Sequence, residues 1–521
     1  MLHLEPRSYD WALAHALRFR DTDVLPMPFE FDAIEHDWTS IRDYLVGVDV
    51  LSWTVRPHRS LLAPKAHYGF RVVTQLDPLD FLVFAAIIHD IANDIEAHRV
   101  SLARQTAFSY RVEIKSDGQL YSPHIGYPDF QARVEELLAS HDNWTHVAVA
   151  DIADFYHRIY SHRLKGALEV ASKRNNHIKA IKGLISGWNG TETFGIPVGN
   201  QPSRLLAEAV LRDVDEAMLG NEIAFTRFND DYRILARNHP EAYRHLAYLA
   251  QVLWTNHGLT LQPHKTTVLT REQYRVRFTT PEEREVDSLY SRFAAIAEQL
   301  GLDNWYEPID YDELDEAQKA AVDSLNVEEL LREEMAETAP DFAIIKFLLR
   351  RLSQLGDSSV ADEVVSALEQ LYPVFPDIVE YLANLKDLSP ARRRRIGGKI
   401  RAGLENSILS ELEYHRMWGL DLFAGSTQWG QREHLLPMLA NARDPLSRRK
   451  LILAMGRSHQ RHWFQGQWRN LFNESPWPKR ALIAAASCLP PDPRKHWYKS
   501  IEPRLDVLER AVMRWAKDNP F

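Results

Sequence analysis

Two short β patterns, each placing aspartate where a strand ends or turns, constrain this chain more than any other feature. Residues 146–152 (HVAVADI) alternate and then end on an acid, Asp151, which predicts a buried strand. Residues 223–236 (IAFTRFNDDYRILA) read as two short strands joined by a tight turn at Asn229–Asp230. Between these segments, Ser203–Met218 has helical spacing and follows a loop rich in Gly, Pro and Asn. The order is a strand with an acid, helices, a glycine-rich loop, a helix, then strand–turn–strand with two acids. That order predicts an α+β domain built on an antiparallel sheet. Upstream, the spacing of Phe81, Leu82, Phe84, Ala85, Ile88, Ile91 and Ile95 predicts an amphipathic helix between Asp77 and His98.

A chain of 521 residues exceeds one ordinary core, so at least two domains are expected. Residues 1–60 mix aromatic and acidic residues with turn signals and read as an N-terminal extension, followed by the α+β domain over 61–280. An acidic connector follows at 281–335, and short helical patterns separated by Pro, Gly, Asp or Ser fill 336–521. That last region reads as an all-α, HEAT-like helical-repeat domain without a strict period, or as a plain irregular helical domain. Apolar runs are too short to cross a bilayer, and the N-terminus lacks the pattern of a secretory signal. The single cysteine, Cys488, excludes an internal disulfide and argues against structural zinc. A cytoplasmic protein without membrane contact is expected.

The formal net charge of -10 argues superficially against a nucleic-acid partner. What matters for phosphate is where Lys and Arg lie, and base recurs around Arg56–Arg71 and at Arg392–Arg395. The Arg392–Arg395 run reads either as a grip on a strand or as the solvated face of a helix. A strand-ending Asp151 beside a turn presenting Asp230 and Asp231 can gather oxygen ligands for hard cations, Mg²⁺ (or Mn²⁺). In the loop before the helix, Gly195 and Gly199 permit close backbone approach, and Ser203 opens a helix whose N-terminus favours anionic groups. The His89–Asp94 segment (HDIAND) contains a His-Asp pair of the kind seen in metal phosphohydrolases but lacks partner histidines in the right pattern.

DIADFYHRI resembles motif A of reverse transcriptases, GIPVGNQPS motif B, and FNDD motif C. GLTLQPHKTTVL is similar to motif D, and PKAHYGFR and FSYR to two motifs of the fingers, so segments across roughly 60–270 keep the family order. The resemblance implies fingers and palm over 61–280 and thumb-like helices within 281–335. It implies catalysis by two metals on Asp151, Asp230 and Asp231. It also implies a nucleotide site of Lys65, Arg71, Arg111, Asp154, Tyr156, Gly199, Ser203 and Lys265, with Tyr156 beneath the incoming sugar and the cations at the triphosphate. The partners implied are dNTPs and a DNA product.

Two departures narrow the resemblance. Val198 stands where many retroviral, retron and intron-encoded enzymes have Gln, and no maturase, RNase H, integrase or endonuclease segment follows motif D. Both features, with the helical C-terminal region, resemble the bacterial defence-associated, abortive-infection type of reverse transcriptase. That branch implies an anti-phage DNA polymerase, protein-primed, in some members untemplated, and assembled as a homo-oligomer (trimer or hexamer). Tyr44, Tyr372, Tyr381, Tyr414 and Tyr498 are candidate priming residues that the sequence does not rank. Two alternatives stand beside it: an RNA-templated enzyme copying an associated non-coding RNA, and a non-catalytic nucleic-acid sensor or scaffold.

Overall fold

The structure, a computed structural model, describes residues 1–65, 69–140, 143–278 and 326–521. Most of the acidic connector at 281–335, where the resemblance implies thumb-like helices, therefore lies outside the described residues. Two compact units are present: Met1–Phe31 with Asp37–Ser60 and Val73–Thr280, and Asp32–His36 with Leu61–Val72 and Pro281–Phe521. Most of residues 1–60 thus fold as part of the first unit. Among the described residues no helix is long and apolar enough to cross a membrane.

Helices precede and surround the sheet of the first unit. In chain order they begin with α1 (Pro6–Phe19), α2 (Glu30–His36, of which Asp32–His36 belongs to the second unit), α3 (Trp38–Gly47), α4 (Pro78–His98) and α5 (Tyr127–Ser140). Then come α6 (Phe155–Arg158), α7 (Ser161–Ala171), α8 (Asn175–Asn189), α9 (Gln201–Gly220), α10 (His239–His257) and α11 (Arg271–Phe278). Asp77 caps α4 by accepting from the Leu79 N–H at 3.2 Å, and Pro78 fits the first turn, where no N–H partner is needed. Its first half, Pro78–Ile88, is buried on every side, whereas from His89 onward only Ile91, Ala92 and Ile95 are buried.

Strands β1 (Arg59–Pro64) and β2 (Phe70–Gln75) form a two-stranded sheet, and residues 61–72 of that hairpin belong to the second unit. Strands β3 (His146–Asp151), β4 (Phe225–Phe228), β5 (Asp231–Ala236) and β6 (Thr267–Thr270) form an antiparallel sheet in the order β4-β5-β3-β6. β3 lies inside that sheet and is covered on both faces, so its four central residues are all buried rather than alternating. Val147 and Val149 pack against Val134 and Leu138 of α5, Leu235 of β5 and Tyr274 of α11, while α10 also packs on β3 and β5.

The second unit holds a row of helices, Phe342–Leu355, Phe375–Asn384, Glu413–Gly425, Pro445–Arg457, Pro476–Ala485 and Val507–Asp518, each packed on the next. Ala361–Ser366, Pro390–Asn406 and Arg432–Asn441 form a second layer beside that row. Ion pairs link successive members: Arg350 to Asp377 at 3.2 Å, Arg416 to Asp444 at 3.0 Å and Lys479 to Glu509 at 2.9 Å. The Arg392–Arg395 run serves the same end. Arg392 and Arg395 both reach Asp362, at 2.6 and 2.9 Å, and Arg393 donates to the carbonyls of Leu385 and Lys386. Arg394 and Arg395 are exposed, as on a solvated helix face, while Arg392, Arg393 and Arg395 also pair within the helical stack.

Candidate active site

Asp151 and Asp231 stand directly opposite each other across the β3–β5 ladder, one at the end of its strand and the other at the start. Asp230 occupies the two-residue turn between β4 and β5, next to Asn229, which adopts the left-handed conformation with φ 55°. Asparagine tolerates that conformation better than most residues. The turn is tied to β3, because the Ile152 N–H donates to the Asp230 carbonyl at 3.1 Å. Asp151 is fixed from the other side, where the Gln262 N–H donates to its carbonyl at 2.7 Å. The three predicted carboxylates are therefore brought to one edge of the sheet by backbone pairing alone.

Crowding shows in their acidities. Burial and the neighbouring Asp151 push the Asp230 carboxyl up to about 6. Burial outweighs the adjacent Arg233 and holds Asp231 above the ordinary carboxylate range. Two cations offset the charge: Lys265 Nζ donates to Asp151 Oδ2 at 2.8 Å, and Arg233 pairs with Asp231. Against partial burial, Asp151 and its two neighbours keep the Lys265 ammonium above its usual range. Arg233 is itself packed over the rings of Phe130 and Phe278.

The donor set suits a divalent cation that prefers oxygen, since all three groups are carboxylates. Among the described residues no group of three or more His, Cys, Asp or Glu side chains already stands as a metal cage. Lys265 and Arg233 hold two of the carboxylates instead, and a bound cation would take over the role of Lys265 beside Asp151.

The remaining predicted residues divide sharply. Tyr156 packs beside this edge, its hydroxyl donating to Asn229 Oδ1 at 3.2 Å, while Asn229 Nδ2 donates to Asp230 Oδ1 at 2.9 Å. Asp154 is exposed in a left-handed conformation at the start of α6, with φ 48°. Arg111 is only 3% exposed, and its guanidinium donates to Glu96 and to the carbonyls of Val100 and Ala107. It is fully engaged inside the first unit, which is at odds with a triphosphate contact. Lys65 and Arg71 are exposed residues of the β1–β2 hairpin and belong to the second unit.

Gly199 and Ser203 differ from expectation in detail. Asn200, not Ser203, caps α9, accepting from the Ser203 N–H at 2.8 Å, and the Ser203 side chain is buried. At Gly199, with φ 112°, a Cβ would meet Thr22 Oγ1 at 2.5 Å and Val24 Cγ2 at 2.9 Å. The close approach that requires glycine is thus to residues 22–24, whose Asp23 N–H also donates to the Gly199 carbonyl at 2.9 Å. Gly199→Ala is expected to destabilise the first unit by about 1–3 kcal/mol through strain and overpacking. Thermal unfolding checks this, and an unchanged midpoint would refute the tight fit.

Sequence reading missed Arg204 and the buried group around Arg227. Arg204 pairs with Asp23 and lies over the ring of Tyr110 at 5.3 Å, close enough to Tyr156 and Tyr121 to act on their hydroxyls. Only the sequence-distant partner Asp23 distinguishes it from a surface arginine at a helix start.

Residues 64–293 match the family described as reverse transcriptase (RNA-dependent DNA polymerase). The sequence matches no curated protein. Among solved structures, the chain is similar to telomerase from Candida albicans in complex with a TWJ fragment of telomeric RNA, at 13% identity, covering 73% of this chain and 69% of that one with a TM-score of 0.32. Apo telomerase from Candida tropicalis gives 11% identity, 72% coverage of each chain and a TM-score of 0.32. The segment 64–293, which carries the aspartates of β3, of the β4–β5 turn and of β5, is thus similar in sequence to the reverse transcriptase family.

Proposed function

We propose that the protein is a nucleotidyltransferase that extends DNA by two-metal addition of deoxynucleotides. The observation that carries this reading is the convergence of Asp151, Asp230 and Asp231 at one sheet edge, at a cost in mutual repulsion that a purely structural edge has no reason to bear. When bound, Mg²⁺ or Mn²⁺ would activate the attacking hydroxyl and neutralise the triphosphate and its leaving group. Asp151 and Asp230 would hold the ions, and Asp231 would support them from the paired position. Lys265, released from Asp151, would place its ammonium at the leaving phosphate, where positive charge is most effective. The Tyr156 ring, fixed through Asn229 to the metal-binding turn, would lie under the sugar and disfavour a 2′-hydroxyl.

The finer assignment, a protein-primed enzyme of phage defence working as a homo-oligomer (trimer or hexamer), rests on the motif pattern and the helical stack that follows it. Burial separates the candidate primers. Tyr381 and Tyr498 are buried, and their hydroxyls donate to the carbonyls of Asp357 and Ile483. Tyr414 is 7% exposed and Tyr372 half-buried, whereas Tyr44 on α3 is 43% exposed, the most exposed of the five. A second reading, RNA-templated synthesis on an associated non-coding RNA, is favoured by the RNA-dependent activity named for the matched family.

One assay separates these readings. The purified full chain is incubated with Mg²⁺ or Mn²⁺ and each labelled dNTP without template or primer, then resolved on denaturing gels with and without protease. Label that stays with the protein until proteolysis is the expected result. Incorporation only after an RNA template and primer are added would replace this reading with the templated one. Absence of incorporation under both conditions would leave the sensor.

A further inference from the structure

The turn that carries Asp230 is gripped by a buried ionic cluster that plays no direct part in the proposed chemistry. Arg227, at the middle of β4, places all five of its N–H donors. Nε and Nη2 reach Asp215 at 2.8 and 2.6 Å, Nη1 and Nη2 reach Glu208 at 3.1 and 3.0 Å, and Nη1 also donates to the Asn229 carbonyl at 2.9 Å. Glu208 further accepts from Arg99 and from Ser109 Oγ, both at 2.6 Å. Ser109 Oγ in turn accepts the Asn229 N–H at 2.8 Å.

Both backbone groups of Asn229 thus end on this cluster, and both polar atoms of its side chain end on Tyr156 and Asp230. The residue immediately before Asp230 has no polar freedom left. Ser109, Glu208, Asp215 and Arg227 are each no more than 2% exposed, and Arg99 is 7% exposed. Such a cluster is a poor way to gain stability, since well-packed apolar residues commonly serve as well or better. It is a good way to fix the direction of one turn.

We infer that Ser109, Glu208 and Arg227 are positioning residues that set the metal-binding geometry of Asp230 through the backbone of Asn229. This rests on the metal-site reading above. The side chains touch neither substrate nor metal; they act on the angle at which the Asp230 carboxylate meets that of Asp151. Removing the Ser109 hydroxyl takes one of the two backbone anchors away and leaves the Arg227 guanidinium fully paired.

The test compares full-length wild type, Ser109→Ala and Ser109→Thr in three measurements: Mn²⁺ binding by water-proton relaxation, steady-state kcat and KM for a dNTP, and thermal unfolding. Ser109→Ala is expected to weaken Mn²⁺ binding and lower kcat, each on the order of 10-fold, as outer-shell partners of metal ligands do. KM should stay within about twofold, because the nucleotide contacts are untouched. Ser109→Thr, which keeps the hydroxyl, should recover most of both losses. Wild-type behaviour in Ser109→Ala would overturn the inference, as would equal defects in the Ala and Thr variants, which would indicate packing alone. If wild type binds Mn²⁺ but adds no nucleotide, the polymerase reading fails while the Mn²⁺ contrast between the two variants still decides this one. If wild type binds no Mn²⁺, both fall. Should Ser109→Ala not fold, Glu208→Gln, which keeps the side-chain shape, is expected to show the same weakening, and wild-type values there would overturn the inference.

Discussion

Asp230→Asn leaves a folded protein that adds nucleotide at least about 10³-fold more slowly than wild type, a loss on the order of 4 kcal/mol of transition-state stabilisation. The side chains are nearly isosteric, so the turn keeps its place: the Asp230 carbonyl still accepts from Ile152, and Asn229 keeps its four partners. What is lost is one charged oxygen at the proposed metal site. The stability effect should run the other way. Burial and Asp151 hold the Asp230 carboxyl up at about 6, so at neutral pH without metal an ionised Asp230 is a cost to the fold that Asn removes. The unfolding midpoint at pH 7.5 in chelator should therefore match or exceed that of wild type. Incorporation within tenfold of wild type would remove Asp230 from the chemistry, and a sharply lowered midpoint would mean that the loss of activity reflects misfolding.

The framework of this site was legible because its elements are local. HVAVADI and IAFTRFNDDYRILA each carry their own periodicity and turn chemistry, and they became β3, β4 and β5 with Asn229–Asp230 in the turn. The helix after the glycine-rich loop was equally visible, apart from its cap, which fell to Asn200. The register that sets Asp151 opposite Asp231 was not visible, although an acid on each strand hinted at it.

Contacts between distant segments left no such trace. Gly199 could be seen to need freedom, but nothing in residues 195–203 says that Thr22 fills the space beside it. Arg111 matched a motif, yet Glu96 and two carbonyls claim its guanidinium. For Arg227 the sequence names no partner. Only the fold brings Glu208 and Asp215 of α9 onto it and makes a buried arginine tolerable. The ion pairs of the Arg392–Arg395 run were invisible for the same reason, because their acceptors lie on the preceding helical pair.

Asp21→Asn should abolish a pH dependence of stability that the wild-type protein carries between about pH 4 and neutrality. Asp21 is 3% exposed and accepts from Gln75 Nε2 at 3.3 Å. Burial outweighs that bond, the nearby backbone N–H groups and Arg20, and pushes the carboxyl from its ordinary 3.8 up to about 7. Between those values the folded state keeps a proton that the unfolded state has released, so stability falls as pH rises through the window and levels off above it. A shift of roughly 3 units corresponds to up to about 4 kcal/mol. Asparagine resembles the protonated acid, so the variant should equal wild type near pH 4 and be the more stable protein at pH 8. The effect should reach the active site, since Asp23, two residues on, donates its N–H to Gly199 and pairs with Arg204. Wild-type nucleotide addition should therefore decline above pH 7 more steeply than that of Asp21→Asn. Unfolding midpoints and incorporation rates at pH 5 and pH 8 decide the matter: a difference between the two proteins that is the same at both pH values would show that Asp21 does not titrate in this range.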